Sequence, residues 1–413
     1  MNFDSPYIFS FISEKADSGN IALDYSQQPM SIWKKVLVMD SIFDFYPSIE
    51  IVLPDDFGLL SDGLVMMEGM SFDTKLGNKE TGEFITHKYV VQKNELIDPK
   101  VTTHLSGDVL LSLTSYHNLL DIKNSMAWEK TISEIVTELG KDVLKVSTTI
   151  IEDTTGEDVW YQINETVETF LKRKMAPRAL SQSNATSPYI TFINCQGELY
   201  FSSIDKLFKQ NTINDKDHPY KFSFEKDQSY DLYAIKNFYT MQGGLDVNKE
   251  NYNKKTFYRD KSGVVNVGTA GDGELSKISE HIVKGDGKVL FRKDLITDTI
   301  GTDFDDYGIY EDKEKDFYAA FKNSLFIDST MYLRMEITIN FNPLAVSGKT
   351  ILLKLVSNLK EKSGSAMEYD GTWLILGSRH FYDVDQAPFT RLIIAKSRIM
   401  PDSIHPFGKR FLS

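Results

Sequence analysis

The stretch "TWLILGSRHFYDVDQAPFTRLIIAKSR", residues 372–398, indicates the fold class of this chain. It consists of two strand-like runs, "TWLILGSRHFYD" and "APFTRLIIAKSR", joined by "DVDQA". Aromatic and β-branched residues around an aspartate-containing turn are typical of a β-hairpin. His380 falls within the first run, and Asp383 and Asp385 fall in the turn, where aspartate side chains bond to nearby backbone amides. We therefore interpret these three residues as structural, with no third partner that would complete a catalytic or metal site.

Further strand patterns occur at both ends of the chain. Before the hairpin, "TMYLRMEITINFNPLAVSGKTILLKLV" reads as an alternating strand, a turn and another strand. Near the start, "SIWKKVLVMD", "PSIEIVLPDD", "GEFITHKYVVQKNEL" and "GDVLLSLTSYHNLLD" are β-rich runs, the first two bounded by Asp and Pro. In the third run, the alternation places one set of side chains on one face and the other set on the opposite face of a strand; the sets are Phe84, Thr86, Lys88 and Val90, and Ile85, His87, Tyr89 and Val91. The two ends share this plan, which predicts two related β-barrels flanking a middle region.

The middle region changes to helical spacing. "NSMAWEKTISEIVTELG" predicts an amphipathic helix from a cap at Asn124 or Ser125 to Gly140, and "NETVETFLKRKMAPRAL" predicts a second helix ending near Pro177. "YITFINCQGELYFSS" predicts a hairpin with its turn at Gln196 and Gly197, and "IDKLFKQ" a short helix or turn. "YKFSFEKD" and "YDLYAIKNFYT" are strand candidates within a loop-rich segment.

These patterns divide the chain into four regions of a mainly β protein with α+β insertions. We expect a first barrel over 1–123, a helix-containing α+β domain over 124–218, a loop-rich insertion with strands over 219–317, and a second barrel with a C-terminal tail over 318–413. A helix is expected near 314–327, in "EKDFYAAFKNSLFI".

The acidic composition argues against a protein that grips nucleic acid. The formal net charge is −13, whereas binding to phosphate backbones requires clustered Lys and Arg. An acidic surface instead suits a wall past which DNA moves without sticking.

Cys195, the single cysteine, excludes an internal disulfide and a cysteine-based zinc site, and its apolar neighbours predict a small buried hydrophobe in a strand. The N-terminus does not match a signal peptide, and no run of about 18 apolar residues predicts a membrane span. We expect a soluble protein that functions without secretion.

The phosphate-binding, dinucleotide-binding and metal-binding motifs that this sequence partly matches are all incomplete. "AVSGKT", residues 345–350, ends like a phosphate-binding loop, but Pro343 occupies the position of the first glycine and the surroundings predict strand-turn-strand. "GTAGDG", residues 268–273, lacks dinucleotide-binding spacing. The histidines show no metal-ligand pairing; they are His87, His104, His117, His218, His281, His380 and His405.

The acidic segment "DFDDYGIYEDKE", residues 303–314, is the nearest match to a calcium loop. Gly308 would form its sharp turn, and Tyr307 departs from the pattern where an oxygen ligand belongs. Its ligand positions would be Asp303, Asp305, Glu311 and Glu314. We favour a solvated acidic loop, and we predict no catalytic residues, no cofactor and no metal for the chain.

The order of these segments resembles the baseplate central hub proteins of contractile-tailed phages, which include the T-even hub, the late control proteins and the hub part of injection-system spikes. The resemblance rests on "LVMMEGMSFDTKLG", "AWEKTISEIVTELGKDV", "RALSQSNATSPYITFINCQGELYF" and "FNPLAVSGKTILLKL" with the hairpin that follows it. It extends from about residue 30 to residue 400, and the segment 209–317 departs from it most.

The resemblance implies a structural, non-enzymatic virion protein of the tail baseplate, assembled in the host cytoplasm. Such hubs carry two tail-tube-like barrels per subunit, so a homotrimer presents a pseudo-sixfold ring that joins the hexameric tail tube to the trimeric spike. Implied partners are the tube or tube-initiator protein, the spike, and baseplate wedge and tape measure proteins. DNA would pass through the channel unbound, and no membrane insertion is implied. The alternatives are a glycan-hydrolysing tail or cell-wall enzyme and a peripheral baseplate or fibre adaptor.

Overall fold

The computed structural model describes residues 7–13, 33–55, 68–102, 104–182, 188–222, 233–242, 256–259, 265–268, 333–355, 370–383 and 386–396. The strands are β1 (Tyr7–Ser13), β2 (Lys35–Ser41), β3 (Ser48–Asp55), β4 (Ser71–Asn78), β5 (Glu83–Thr102), β6 (His104–Ser115), β7 (Asn124–Thr131), β8 (Thr148–Ile151), β9 (Glu157–Glu165), β10 (Tyr189–Ile193), β11 (Glu198–Ser203), β12 (Tyr220–Phe222), β13 (Ala234–Gln242), β14 (Thr256–Arg259), β15 (Val265–Gly268), β16 (Leu333–Asn340), β17 (Thr350–Leu355), β18 (Gly371–Asp383) and β19 (Gln386–Lys396).

The helices within the described ranges are short and lie between β6 and β12. They are α1 (Tyr116–Leu120), α2 (Ile132–Glu138), α3 (Val167–Phe170), α4 (Ala176–Arg178) and α5 (Ile204–Lys209), with π-helical turns at Leu139–Val143 and Leu171–Met175. Across the described ranges, no helix combines the length and the apolar character needed to span a membrane. The protein is therefore mainly β with helical insertions, as the sequence predicts.

The C-terminal strands form a closed six-stranded barrel. The order is β18-β17-β12-β13-β16-β19, and β19 returns to pair with β18 along the predicted hairpin. Trp373, Ile337, Ile351 and Leu392 are fully buried inside it. Two of its strands, β12 and β13, come from the segment that the sequence interprets as a loop-rich insertion, and both match the predicted strand candidates. The domain boundaries themselves stay a prediction.

The N-terminal strands form a second run of six, in the order β1-β4-β5-β6-β3-β2. Ile85, His87, Tyr89 and Val91 share one buried face of β5, as the alternation predicts, and Val90 of the other face is buried as well. No β1–β2 pairing occurs among the described residues, but the rings of Phe9 and Trp33, at the two ends of the run, meet edge to face at 4.8 Å. The run is therefore rolled around a shared core.

The two runs have the same strand order. Numbered within each run, both are 1-4-5-6-3-2, so that β1 to β6 correspond to β12, β13, β16, β17, β18 and β19. They differ at the first strand, since β1 is antiparallel to β4 whereas β12 is parallel to β17. The shared plan that the sequence predicts is thus present as a shared topology.

The predicted first helix begins later than expected. Residues 124–131 form β7, where Trp128 pairs with Trp160 of β9, and α2 begins at Ile132. The Thr131 side chain accepts a bond from the Glu134 backbone while the Glu134 side chain bonds back to Thr131, a capping box that starts the helix there. The predicted start at Asn124 or Ser125 is wrong because the strand pairing overrides the helical spacing of the apolar residues.

The other predicted elements of the middle region are confirmed. Thr166 caps α3, and the second helix ends at Arg178, one residue beyond Pro177. β10 and β11 form the predicted hairpin, with Gly197 in its turn at φ +75°, a conformation that favours glycine. The acidic segment 303–314, the expected helix at 314–327 and the loop after Gly268 lie outside the described residues.

Candidate functional site at the junction of the barrels

The two six-stranded runs are joined by one strand pair, β2 with β18. β18 leaves β17 after Leu374 and continues along β2, so that residues 377–383 pair antiparallel with residues 41–35. One continuous twelve-stranded sheet results. This junction is the candidate functional site because it sets how the two halves of the chain are held.

Asp40 of β2 lies at the centre of the junction, with 6% of its surface exposed. Its carboxylate accepts hydrogen bonds from the backbone amides of Cys195 at 2.9 Å, Ser347 at 3.2 Å and Ser378 at 3.2 Å. Burial raises the pKa of Asp40, and the hydrogen bonds from Ser378, Cys195 and Ser347 oppose that rise. One carboxylate thereby ties β2 to β18, to the β10–β11 hairpin and to the turn before β17.

A chain of buried hydroxyl and imidazole groups continues from Asp40 into the second barrel. The Ser378 hydroxyl donates to Asp40 at 2.5 Å and lies 3.1 Å from His380 Nε2, while His380 Nδ1 lies 3.1 Å from Thr390 Oγ1. Because the serine hydrogen is used on Asp40, Nε2 donates to Ser378 and Thr390 donates to Nδ1. Burial lowers the pKa of His380 to about 3, so the ring is neutral near pH 7.

These residues contain the members of a hydrolase triad in the wrong order. In a triad the histidine lies between the carboxylate and the serine, whereas here Ser378 lies between Asp40 and His380. Ser378 is 1% exposed and His380 is fully buried, so a substrate has no access to either side chain. His380 lies in a strand as predicted, Asp383 ends β18, and Asp385 lies outside the described residues.

The tip of the β10–β11 hairpin closes the junction from the middle region. Cys195 is fully buried in the first-barrel core, and burial raises the pKa of its thiol. The predicted burial of Cys195 is confirmed, but β10 ends at Ile193 and Cys195 lies in the turn. A Cβ atom on Gly197 would lie 3.0 Å from His87 Nδ1, so the hairpin tip is in close contact with β5.

The stretch 345–350 forms the turn between β16 and β17 that the sequence predicts. Gly348 has φ +84°, and a Cβ atom there would lie 2.6 Å from Cζ of Phe192 in β10. Lys349 pairs with Glu198 at 2.9 Å. The turn therefore contacts the middle region and does not form a phosphate-binding loop.

Two further buried carboxylates also hold backbone amides. Asp121 accepts from the amides of Val167 at 2.5 Å and Glu168 at 3.0 Å, at the start of α3. Glu152 accepts from the amide of Ser203 at 2.7 Å and from the Ser202 hydroxyl at 3.1 Å. A glycosidase needs two carboxylates facing one substrate-sized cleft. These two, like Asp40, are instead used inside the fold.

Three further histidines serve packing and local hydrogen bonds. His87 lies 2.8 Å from the Ser115 hydroxyl, and burial lowers its pKa to about 3. His117 Nδ1 lies 2.7 Å from the carbonyl oxygen of Leu144, and His218 pairs with Asp215 at 2.9 Å on the surface. Within the described ranges, no three His, Cys, Asp or Glu side chains lie close enough to hold a metal ion.

The role of Asp40 is missing from the sequence interpretation. There it marks the boundary of the run "SIWKKVLVMD", whereas the structure places it inside β2, as a buried acceptor. The available signal is an aspartate that continues the apolar run into "SIFDF" with no Gly or Pro beside it. That pattern is compatible with a strand end, and it is equally compatible with a buried carboxylate that accepts hydrogen bonds within the strand.

Comparisons by sequence find no relative, since no protein-family model and no curated protein matches this chain. Comparison by structure finds the 43 kDa tail protein of prophage MuSo2 from Shewanella oneidensis, with a TM-score of 0.53 and 13% identity over 94% of this chain and 98% of that one. A tail protein from Neisseria meningitidis MC58 matches with a TM-score of 0.50 and 10% identity over 96% of this chain and 98% of that one. The chain has the fold of these tail proteins along nearly its whole length.

Proposed function

We propose that this chain is a structural hub protein of a phage tail baseplate or a related injection machine. Three copies would form a ring whose six barrels match a sixfold tail tube on one side and a threefold spike on the other. The observation that carries the proposal is the repeated strand order of two barrels joined edge to edge within one chain. The fold that the chain shares with solved tail proteins supports it.

The proposed partners follow from that position in the machine. They are two further copies of this chain, the tube or tube-initiator protein above, the spike below, and wedge and tape measure proteins nearby. The protein would be part of the virion tail, at the baseplate. DNA would pass through the ring without specific binding, in keeping with the formal net charge of −13. Neutralising acidic residues that line the channel should slow genome ejection, and unchanged ejection would exclude this role of the charge.

The proposal includes the absence of catalysis. It is supported by the use of Asp40, Asp121 and Glu152 as acceptors of backbone amides. An assay with purified peptidoglycan and capsular glycans should therefore release no soluble fragments. Release of glycan fragments that disappears when a single Asp or Glu is replaced would show that the protein is an enzyme and would overturn the proposed absence of catalysis.

The decisive experiment is the mass of the purified protein in solution, followed by end-on imaging of any oligomer. A trimeric ring with an open channel and a pseudo-sixfold outline is the expected result. A protein that stays monomeric both alone and with its purified spike and tube proteins would overturn the proposal.

A further inference from the structure

The junction inside the chain has a counterpart on the outer edges of the two barrels. It joins the second strand of the first barrel, β2, to the fifth strand of the second barrel, β18. The common strand order makes β13 the counterpart of β2 and β5 the counterpart of β18. A copy of the same junction between two molecules would therefore pair β13 of one with β5 of the other.

The fifth strands correspond in detail. β18 has register shifts between Ile375 and Gly377 and between Phe381 and Asp383. β5 has them between Val91 and Lys93 and between Ile97 and Lys100. In each strand the first shift comes just after the last residue paired with the fourth strand, Leu374 or Val90. Residues 93–97 of β5 thus correspond to residues 377–381 of β18, which belong to the segment 377–383 that pairs with β2.

The second strands correspond through their ladders. Glu50 of β3 and Glu336 of β16 occupy equivalent positions, in "SIEIV" and "RMEIT". Glu50 is paired with Leu37 and Glu336 is paired with Tyr239, so Leu37 and Tyr239 are counterparts. Leu37, opposite Phe381 in the junction, is 7% exposed, whereas Tyr239 is 65% exposed.

Both edges extend beyond their described neighbours. β12 pairs with β13 only at Ala234 and Ile235, and β4 pairs with β5 only as far as Val90. Along the rest of these two edges, no strand of the described ranges lies alongside. A strand edge with a large exposed aromatic side chain is a template for pairing with another chain.

We propose that β13 of one copy pairs antiparallel with residues 93–97 of β5 in the next copy, with Tyr239 opposite Ile97. This contact repeats the β2–β18 junction, in which Leu37 lies opposite Phe381. Each copy contributes one edge of each kind, so the contact is head to tail, which is the type of contact that builds a closed ring when the rotation between copies divides a full turn. The inference rests on the proposed hub function, because it needs copies of this chain arranged around an axis.

The test is a disulfide between copies. Opposed residues in an antiparallel pair have Cα atoms about 4.5–5.5 Å apart, within reach of a disulfide. The native Cys195 is buried, so it does not compete. The double variant Tyr239→Cys with Ile97→Cys is oxidised and separated on a denaturing gel without reductant. It should give covalent dimers and, as oxidation proceeds, covalent trimers as the largest species. Each single variant should stay monomeric on the gel.

A matched control pairs Ile97→Cys with Tyr161→Cys, on β9 of the middle region, where the tyrosine is 57% exposed. This control should give no ladder. If the double variant is a trimer by mass but its cysteines at positions 239 and 97 form no cross-link, the proposed strand pairing is overturned and the proposed function is not. A protein that is monomeric and shows no cross-link would overturn both.

Charge at the same place provides a second readout. Tyr239→Lys should reduce the trimer fraction at least tenfold while the urea midpoint of the monomer stays unchanged. Tyr161→Lys should leave the trimer fraction as it is. An intact ring in Tyr239→Lys would contradict the inference even if the cysteine variants fail to fold.

Discussion

The two barrels have one strand order and differ in how the first strand completes it. In the second barrel, β12 is three residues long and pairs in parallel with both β17 and β13, which closes the barrel. In the first, β1 is seven residues long and antiparallel to β4, and the ring contact between Phe9 and Trp33 brings it near β2. Five strands therefore define the barrel, and the first strand can complete it in either direction.

The barrels also differ in what each contributes to their junction. The first contributes Asp40, a buried carboxylate, and the second contributes Ser378, His380 and Thr390, which are neutral hydrogen-bonding groups. A buried carboxylate requires donors around it, because desolvation penalises its charge. The middle region supplies one of them through the hairpin tip at Cys195. These donors therefore help to fix the register in which β2 pairs with β18, because a shift of one strand would separate Asp40 from them.

Removing the Asp40 carboxylate should weaken the junction between the barrels more than any other change considered below. Asp40→Ala leaves the buried amides of Cys195, Ser347 and Ser378 without their acceptor, and we expect a loss of about 2–4 kcal/mol in the free energy of unfolding. Urea unfolding measures it. The exposed neighbour Asp44 is the control, and Asp44→Ala should change stability by less than about 0.5 kcal/mol. Equal effects of the two variants would mean that the junction does not depend on Asp40.

Acid should weaken both barrels, because each holds a neutral histidine in its fifth strand. Burial lowers the pKa of His87 and of His380 to about 3. The unfolded chain takes up these protons near pH 6.5, so the stabilisation is complete above that pH. It falls by up to about 1.4 kcal/mol per pH unit and per histidine as the pH decreases towards 3.

Asp40 acts in the opposite direction, because its pKa is raised, and protonation of its carboxylate at low pH favours the folded state. Urea midpoints at pH 7 and pH 4.5 measure the balance. His87→Gln and His380→Gln should each reduce the difference between the two midpoints. A difference that neither replacement reduces would assign the acid sensitivity to other groups.

The turn before β17 should be more sensitive to a side chain at its glycine than the open turn between β4 and β5 of the first barrel. Gly348→Ala meets Phe192 and also carries a positive φ, and we expect a loss of about 2–3 kcal/mol. Gly82, in the turn between β4 and β5, has φ +71° and nothing within 4 Å of a Cβ atom, so Gly82→Ala should cost about 1 kcal/mol. Thermal unfolding of the two variants gives the comparison. Equal losses would show that the contact with Phe192 relaxes freely.

The smallest expected difference concerns the first strands. β12 is hydrogen-bonded on both sides, whereas the described pairing of β1 is with β4 alone. Native-state hydrogen exchange should therefore be faster for the amides of β1 than for those of β12. Slower exchange in β1 would indicate a partner on its second edge, and the closure of the two barrels would then be alike.

Much of the local structure was predictable from residue patterns. The hairpin of β18 and β19 follows from two β-rich runs around an aspartate turn, and the two faces of β5 follow from its alternation. The start of α2 was misplaced, although Thr131 and Glu134 form a recognisable capping box. The helical spacing of Trp128, Ile132, Ile135 and Val136 predicts one long helix; all four residues are buried, but Trp128 belongs to strand β7.

Most barrel strands and their turns follow from the sequence alone, because alternation along a strand and the backbone preferences of turn residues are local properties. The tertiary structure decided which edges meet: β2 with β18, more than three hundred residues apart, and β13 within the second barrel. The physical reason is that edges pair through backbone N–H and C=O groups, which every strand presents alike. Asp40 acquired its role in the same way, since three amides from distant segments surround it only after the sheet has formed.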